Sequence, residues 1–196
     1  MAGNSRDIIL AAIGQSVSVK QLIQADEALL EIISMAAVRC TDALSQGNKI
    51  MFCGNGGSAA DAQHLAAELS GRFYRDRPPL AAIALTVNTS FLTAVANDYS
   101  FDEVFARMVK SVGKEGDVLI GLSTSGNSEN VIRAMQQAQV MKILAIGLTG
   151  KDGGKIAVSS DYLIRIPSTD TPRIQESHIL IGHILCEIIE KSMFPE

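Results

Sequence analysis

Cysteine and aromatic residues are scarce in this chain. It has no tryptophan, only three cysteines and 5% aromatic residues in 196 positions. Cys40, Cys53 and Cys186 are odd in number and widely separated, so they fit neither a disulfide framework nor a zinc cluster. Each lies in or beside an apolar run, which predicts a small buried hydrophobic side chain. This pattern is typical of a reducing compartment, and we expect a cytoplasmic protein.

A surplus of positive charge and long apolar runs are absent as well. Lys and Arg number 17 against 21 Asp and Glu, for a formal net charge of −4. Direct binding to nucleic acid is therefore not expected, because such proteins neutralise phosphates with basic side chains. No apolar run reaches the roughly 20 residues that span a bilayer. The N-terminus also has no apolar segment behind a basic start, so we expect neither a signal peptide nor a membrane partner.

What the chain does have is a regular alternation of short apolar runs and helical patterns. Strand-like runs occupy residues 48–53, 81–85, 116–122, 142–148 and 162–167, and helical spacing marks residues 25–44, 101–113, 129–139 and 173–193. Strands that are apolar almost throughout and alternate with helices indicate a parallel sheet covered on both faces. The sequence predicts a three-layer α/β/α sandwich in a single domain, residues 1–196. Helices at the two ends of the chain remain for packing against other subunits.

Two polar loops follow predicted strands and open predicted helices. The first, "GNGGS" at residues 54–58, is neither a Walker A loop nor a GxGxxG loop, which disfavours a nucleotide. The second, "STSGNS" at residues 123–128, offers the hydroxyls of Ser123, Thr124, Ser125 and Ser128. Ser128 alone would be read as a helix N-cap. Four hydroxyls around a glycine before a helix N-terminus favour an anion site, such as one for a phosphate.

The helix after the first loop carries His64 and Glu68, four residues apart and therefore on one face. Such a pair on a helix surface is by itself worth only a few tenths of a kcal/mol. Here its neighbours are mostly alanine and leucine, so the pair interrupts an apolar segment. A base, an acid or a metal site is the functional alternative.

Four motifs in order, "CGNGGS", "STSGNS", "LTGKDGG" and "RIQESHILIGHIL", resemble the sugar isomerase (SIS) domain, and within it the bacterial phosphoheptose isomerases. The similarity covers about residues 50–194. It implies a five-stranded parallel sheet and a homotetramer with active sites at subunit interfaces. It also implies conversion of D-sedoheptulose 7-phosphate to D-glycero-D-manno-heptose 7-phosphate, the first step toward ADP- or GDP-heptose for lipopolysaccharide or related glycans.

The resemblance also implies roles for individual residues. Glu68 and His183 match the acid–base pair of the family, and His64, Glu68, Gln175 and His183 match its metal ligands, with zinc as the ion. Serine and threonine residues of the second loop match the phosphate cradle. The other implied substrate contacts are Asn55, Gly56, Gly57, Asn97, Asp98, Glu68 and Gln175. Arg72, just past Gly71, is a further candidate for a substrate contact and could reach a neighbouring site. An exposed helix-end cation is an equal alternative for Arg72, and His178 is given no role beyond packing or support.

Two questions stay open in the sequence. Gln175 and His183 would lie about 12 Å apart along one regular helix, so either the helix begins after Gln175 or the two residues serve sites shared between chains. The same domain also occurs in a non-catalytic scaffold that binds the replication initiator DnaA. Because His64, Glu68, Gln175 and His183 are all present, the sequence favours the enzyme.

Overall fold

A five-stranded parallel sheet forms the centre of the computed structural model, which describes residues 4–195. The strands are β1 (Ile50–Gly54), β2 (Ala82–Ala84), β3 (Val118–Leu122), β4 (Leu144–Thr149) and β5 (Tyr162–Arg165). Their order across the sheet is β2-β1-β3-β4-β5, and every neighbouring pair is parallel. The predicted parallel α/β fold is therefore confirmed.

Seven α-helices surround the sheet within the described residues. They are α1 (Ser5–Gln24), α2 (Glu27–Ser45), α3 (Gly57–Ser70), α4 (Thr89–Asp98), α5 (Val104–Val112), α6 (Glu129–Val140) and α7 (Thr171–Met193), with 3-10 turns at Phe101–Glu103 and Lys155–Ser159. The sequence pattern did not predict α4. Its apolar residues Phe91, Leu92, Val95 and Ala96 do recur at helical spacing and pack against the core, so a short helical signal was present in the sequence.

Alternate side chains of the strands point into two separate apolar layers, as the pleat of a strand requires. Ile50 and Phe52 of β1 pack into a layer shared with α2, α3 and α7. Met51 and Cys53 of the same strand pack into the layer shared with α5 and α6. All four side chains are at most 2% exposed, which explains why the strand reads as a continuous apolar run.

The three cysteines are free and buried, as predicted. Burial raises the pKa of Cys40, of Cys53 and of Cys186 to about 12. Because the thiolate is the reactive form, these side chains act as small hydrophobic residues.

Helix α1 buries only Val19 and Ile23. Six large aliphatic side chains on it are 48–62% exposed, namely Ile8, Ile9, Leu10, Ile13, Val17 and Leu22. Within residues 4–195, no single helix is long and apolar enough to cross a membrane, and α1 with α2 meets that test only as a pair bent by 79°.

Candidate active site

The predicted site residues are grouped by three helices that start near the carboxyl ends of the strands. Helix α3 begins after β1, α6 begins after β3, and α7 begins after β5. In open parallel sheets, ligands bind in the crevice beyond these strand ends, where strand order changes direction. Here that point lies between β1 and β3, whose following loops are the two polar loops of the sequence.

His64 and Glu68 of α3 meet His183 of α7 in one cluster. The Nε2 atoms of His64 and His183 lie 2.8 Å apart, and His64 Nε2 lies 3.4 Å from Glu68 Oε1. The two rings are edge to face, with centroids 5.0 Å apart. The His64 side chain is 48% exposed and that of Glu68 23%, so the cluster opens to the outside of the subunit.

His64, Glu68 and His183 form a group that could hold a metal ion, since one ligand atom from each lies within 4.8 Å of the others. Two imidazoles and a carboxylate are suitable zinc ligands. With metal–ligand bonds of about 2.0–2.1 Å, two ligands of a tetrahedral ion lie roughly 3.3 Å apart. The observed spacings of 2.8 and 3.4 Å come within about half an ångström of that value. The donor set therefore fits a metal ion.

Gln175 lies in the same helix as His183, because α7 begins at Thr171. The alternative in which the helix begins after Gln175 is therefore wrong. The side-chain amide of Gln175 lies against Gly57 at the start of α3, where an added Cβ would come 2.7 Å from Nε2. The missing side chain of Gly57 thus leaves room for the amide of Gln175. This contact lies at the start of α3, whereas Glu68 lies in the last turn of that helix. Whether Gln175 and His183 serve one ion stays a prediction.

The serine-rich loop has the geometry of an open anion site rather than of a simple helix cap. Ser128 is the N-cap residue of α6, but its side chain makes no capping hydrogen bond. The Ser123 hydroxyl instead donates to the Ser128 hydroxyl at 3.0 Å. Ser123 is 3% exposed, whereas Ser125 is exposed and accepts the Asn127 N–H at 3.1 Å. The first N–H groups of α6 therefore have no side-chain cap from Ser128 that would compete with an anion.

The shape of this loop is fixed by contacts with the loop after β4. Gly126 has φ +66°, and a Cβ there would lie 2.1 Å from the Gly153 carbonyl oxygen. The Gly150 N–H donates to the Thr124 carbonyl at 3.0 Å. A cavity of about 290 Å³ lies beside this junction and is bordered by Thr124 and Ser125. Only glycine at position 126 satisfies both the left-handed conformation and the close backbone approach.

The two polar loops are joined by a contact that the sequence did not predict. The amides of Asn55 and Asn130 exchange two hydrogen bonds, of 2.8 and 2.9 Å. Asn130 is 2% exposed, and its side-chain oxygen Oδ1 also accepts the N–H of Val131. Asn55 therefore fixes the distance between the loops. Its predicted contact with a sugar stays a prediction.

The remaining predicted residues are exposed at the surface of the subunit. Asn97 and Asp98 end α4, and the amide of Asn97 donates to the carboxylate of Asp98 at 2.9 Å. Arg72 follows Gly71 after the end of α3 and is exposed, as is Gly56. Asp98 is not part of the group formed by His64, Glu68 and His183, and the sugar contacts of Arg72, Asn97 and Asp98 stay predictions.

Sequence reasoning also missed two neighbours of the cluster. Burial raises the pKa of Asp61, although the nearby His64 and His183 act in the opposite direction. The Phe73 ring packs with its centroid 5.7 Å from that of His183. Asp61 precedes His64 by three residues, so helical spacing was a signal that could have found it. Phe73 gave no such signal because it lies in a loop.

Comparison with known proteins gives a consistent result. Residues 16–150 match the model of the SIS domain. The chain is 52% identical to a phosphoheptose isomerase of Aneurinibacillus thermoaerophilus over 188 residues, which cover 96% of this chain and 95% of that protein.

Two solved structures share the architecture over nearly the whole chain. The phosphoheptose isomerase of Neisseria gonorrhoeae superposes with a TM-score of 0.89 at 46% identity, covering 96% of this chain and 100% of that one. The phosphoheptose isomerase of Francisella tularensis gives a TM-score of 0.91 at 39% identity, covering 96% and 99%. Identities of this size extend the similarity beyond the fold.

Proposed function

The chain belongs to the SIS-domain family, and within it to the phosphoheptose isomerases, and we propose that Glu68 and His183 carry out its reaction. The enzyme isomerises sedoheptulose 7-phosphate in heptose synthesis. The product we assign is D-glycero-D-manno-heptose 7-phosphate, a precursor of ADP- or GDP-heptose. The observation that carries the residue assignment is the meeting of Glu68 and His183 in one open cluster.

An aldose–ketose isomerisation moves one proton between adjacent carbons through an enediol. In the proposed direction, Glu68 takes a proton from C1 of the ketose and returns it to C2. His183 donates a proton to the C2 oxygen and accepts the one released from the C1 hydroxyl. The carbonyl thereby moves from C2 to C1 and all atoms balance. General acid–base steps of this kind contribute about 10²–10⁴ to a rate.

The serine-rich loop would bind the phosphate of the same substrate. Ser123, Ser125 and Ser128 offer hydroxyls, and the start of α6 offers N–H groups together with the positive end of the helix dipole. A phosphate held there fixes the far end of an open-chain sugar. The reactive carbons of the sugar are then held near the acid–base pair, which lowers the entropic part of the barrier. The hydrogen bonds between Asn55 and Asn130 support a constant distance between the two halves of the site.

We assign zinc to the group formed by His64, Glu68 and His183, with Gln175 as a fourth ligand contributed from a neighbouring subunit. When bound, the ion would stabilise negative charge on the oxygens of the sugar. Glu68 must bind it loosely, because a carboxylate held fully by a metal is no longer a free base. The 23% exposure of the Glu68 side chain leaves it room to move.

The proposed assembly is a homotetramer in which neighbouring subunits complete the active sites. Its support is the exposed aliphatic face of α1, with Ile9 57% and Ile13 57% exposed. Exposed apolar faces of this extent mark association surfaces, and soluble oligomers are mostly symmetric homo-oligomers. The openness of the His64 cluster is consistent with a site that a second subunit covers.

Incubation with sedoheptulose 7-phosphate, followed by NMR of the sugar signals, tests the function directly. We expect aldose signals to grow at the expense of the ketose until a constant ratio is reached. Parallel samples with added zinc, and with a chelator, separate the reaction from the metal requirement. No turnover under either condition, beside an active phosphoheptose isomerase as positive control, would contradict the proposal.

A further inference from the structure

Beneath the acid–base cluster lies a buried ion pair that joins a loop to α7. Arg77 Nε lies 3.0 Å from Glu190 Oε1, and both side chains are 2% exposed. Buried ion pairs often contribute little net stability, because desolvation offsets their attraction. A role in stability alone therefore does not account for this one.

Arg77 also caps the end of the helix that carries Glu68. Its Nη1 donates to the Leu69 carbonyl at 2.8 Å, and its Nη2 donates to the Glu68 carbonyl at 3.0 Å. The last carbonyls of a helix have no partner within the helix. One buried guanidinium therefore holds the final turn of α3, in which Glu68 lies, from the carboxyl-terminal side.

Glu190 holds the loop that leads from α3 to the sheet. Its carboxylate accepts the N–H groups of Phe73 at 3.2 Å, Tyr74 at 2.9 Å and Arg75 at 3.2 Å. Burial alone would raise the pKa of Glu190, but these donors and Arg77 hold it below its ordinary value. The loop in turn sets the Phe73 ring against the imidazole of His183.

We propose that Arg77 and Glu190 are positioning residues that fix Glu68 and His183 relative to each other. Glu190 follows His183 by seven residues, two turns along the same face of α7, while Arg77 binds the backbone of Glu68 itself. The pair thus connects α3, which carries Glu68, to α7, which carries His183. This inference rests on the proposed function for its consequence in turnover, though not for its geometry.

A matched control exists at the opposite ends of the strands. Asp117 is 0% exposed and accepts the N–H groups of Lys49 at 3.0 Å and Lys114 at 2.8 Å. It also pairs with the Lys49 ammonium at 2.5 Å. Asp117→Asn therefore removes a buried carboxylate with the same kinds of partners as Glu190, but it does so away from the cluster.

The test compares Glu190→Gln and Arg77→Lys with Asp117→Asn. Steady-state kcat and KM are measured with sedoheptulose 7-phosphate, and imidazole NMR signals are recorded in the metal-free proteins. The chain has only three histidines, so His64 and His183 can be resolved, with His178 as an internal reference. Arg77→Lys keeps the positive charge but loses the planar guanidinium that binds both the Leu69 and the Glu68 carbonyls. This variant replaces Glu190→Gln as the test if Glu190→Gln does not fold.

For both test variants we expect kcat to fall about tenfold to a hundredfold, since small displacements of reacting groups cost that much. KM should stay within about twofold, and the ring signals of His64 and His183 should shift. Asp117→Asn should lose thermal stability but keep kcat and both signals. A folded Glu190→Gln protein with native kcat and native ring signals would overturn the proposal. So would an equal loss of kcat in Asp117→Asn. The ring signals need no turnover, so shifted signals support the positioning role even if the native protein fails to isomerise the sugar.

Discussion

The Nε2 atoms of His64 and His183 lie 2.8 Å apart although 119 residues separate them in the chain. A hydrogen bond of this length has one nitrogen as donor and the other as acceptor, and the tautomers of the two rings decide which one donates. Glu68 lies 3.4 Å from the same His64 nitrogen. One short stretch of α3 thus presents both a carboxylate and an imidazole to a single partner on α7.

The first prediction concerns Glu68. Glu68→Gln preserves the shape of the side chain but removes its basicity, so kcat should fall by about two orders of magnitude or more. His183→Ala should have an effect of similar size, and both variants should stay folded and oligomeric. Glu187→Gln, which removes an exposed carboxylate paired with Lys191 on α7, serves as control and should keep native turnover. Near-native turnover by Glu68→Gln would show that another group is the base.

Metal binding is predicted separately from acid–base chemistry. Elemental analysis should find about one zinc per subunit in the native protein. Exhaustive chelation should remove this zinc together with the activity, and stoichiometric zinc should restore the activity. His64→Ala should weaken zinc binding by at least about tenfold, because one of few strong ligands is lost. Gln63→Ala on the same exposed turn of α3, where Gln63 bonds Thr86 at 3.2 Å, is the control. Full activity of a metal-free protein would refute the zinc assignment while leaving Glu68 and His183 in place.

Much of this architecture could be predicted from local patterns, and the exceptions have physical reasons. Apolar runs marked all five strands, because the central strands β1, β3 and β4 are buried almost throughout. The edge strands β2 and β5 are shorter and partly exposed, at Ile83 and Arg165 respectively. Helix α7 begins two residues before its predicted start, since Pro172 is tolerated in the first turn. Helix α4 was missed although Phe91, Leu92, Val95 and Ala96 have helical spacing, because its 10 residues are fewer than the window in which that spacing is usually recognised.

In the site, the sequence predicted the pair on α3 from its spacing and supplied His183 through the family resemblance. The contacts that position these residues were not predictable. Asn55 bonds a residue 75 positions away, and Arg77 bonds one 113 positions away. Pairings over such distances depend on the packed sheet and leave no periodic signal in the chain. Helix α7 contains both Gln175 and His183, which leaves ligands shared between chains as the remaining alternative.

The serine-rich loop gives a prediction for substrate affinity. Ser125→Ala removes an exposed hydroxyl without disturbing the core, so KM for the phosphosugar should rise about tenfold to a hundredfold, as expected for one lost hydrogen bond to a charged group. The value of kcat should change much less. Ser111→Ala, which removes an exposed hydroxyl on α5, is the control. Unchanged KM in Ser123→Ala, Ser125→Ala and Ser128→Ala alike would remove the loop from the phosphate site.

The exposed face of α1 gives a prediction for assembly. Light scattering at micromolar concentration should report a tetramer for the native protein. Ile9→Glu together with Ile13→Glu places two charges on this face, and the variant should dissociate and lose activity if neighbouring subunits complete the sites. Val158→Glu, at an 85% exposed position elsewhere, should remain a tetramer. A native monomer with full activity would contradict the assembly.

The last prediction concerns acid stability and His178. This ring is 0% exposed, and burial lowers its pKa to about 4, although the hydrogen bond to the Thr149 carbonyl acts in the other direction. In the unfolded chain the pKa is about 6.5. Between these two pH values the imidazole is protonated in the unfolded state but neutral in the native state. The free energy of unfolding therefore rises with pH in this range, and this stability is lost as pH falls from about 6.5 to 4. The full difference amounts to about 3 kcal/mol.

Urea unfolding from pH 4 to 7 measures this effect. His178→Gln retains an N–H that can reach the Thr149 carbonyl but has no titrating group. Its unfolding free energy should therefore depend less on pH than that of the native protein, and the difference between the two curves should change by about 3 kcal/mol between pH 7 and 4. All other titrating groups are common to both proteins, so their contributions cancel in the difference. Parallel curves would mean that His178 is protonated equally in both states, and the buried neutral imidazole would then be the wrong description of this position.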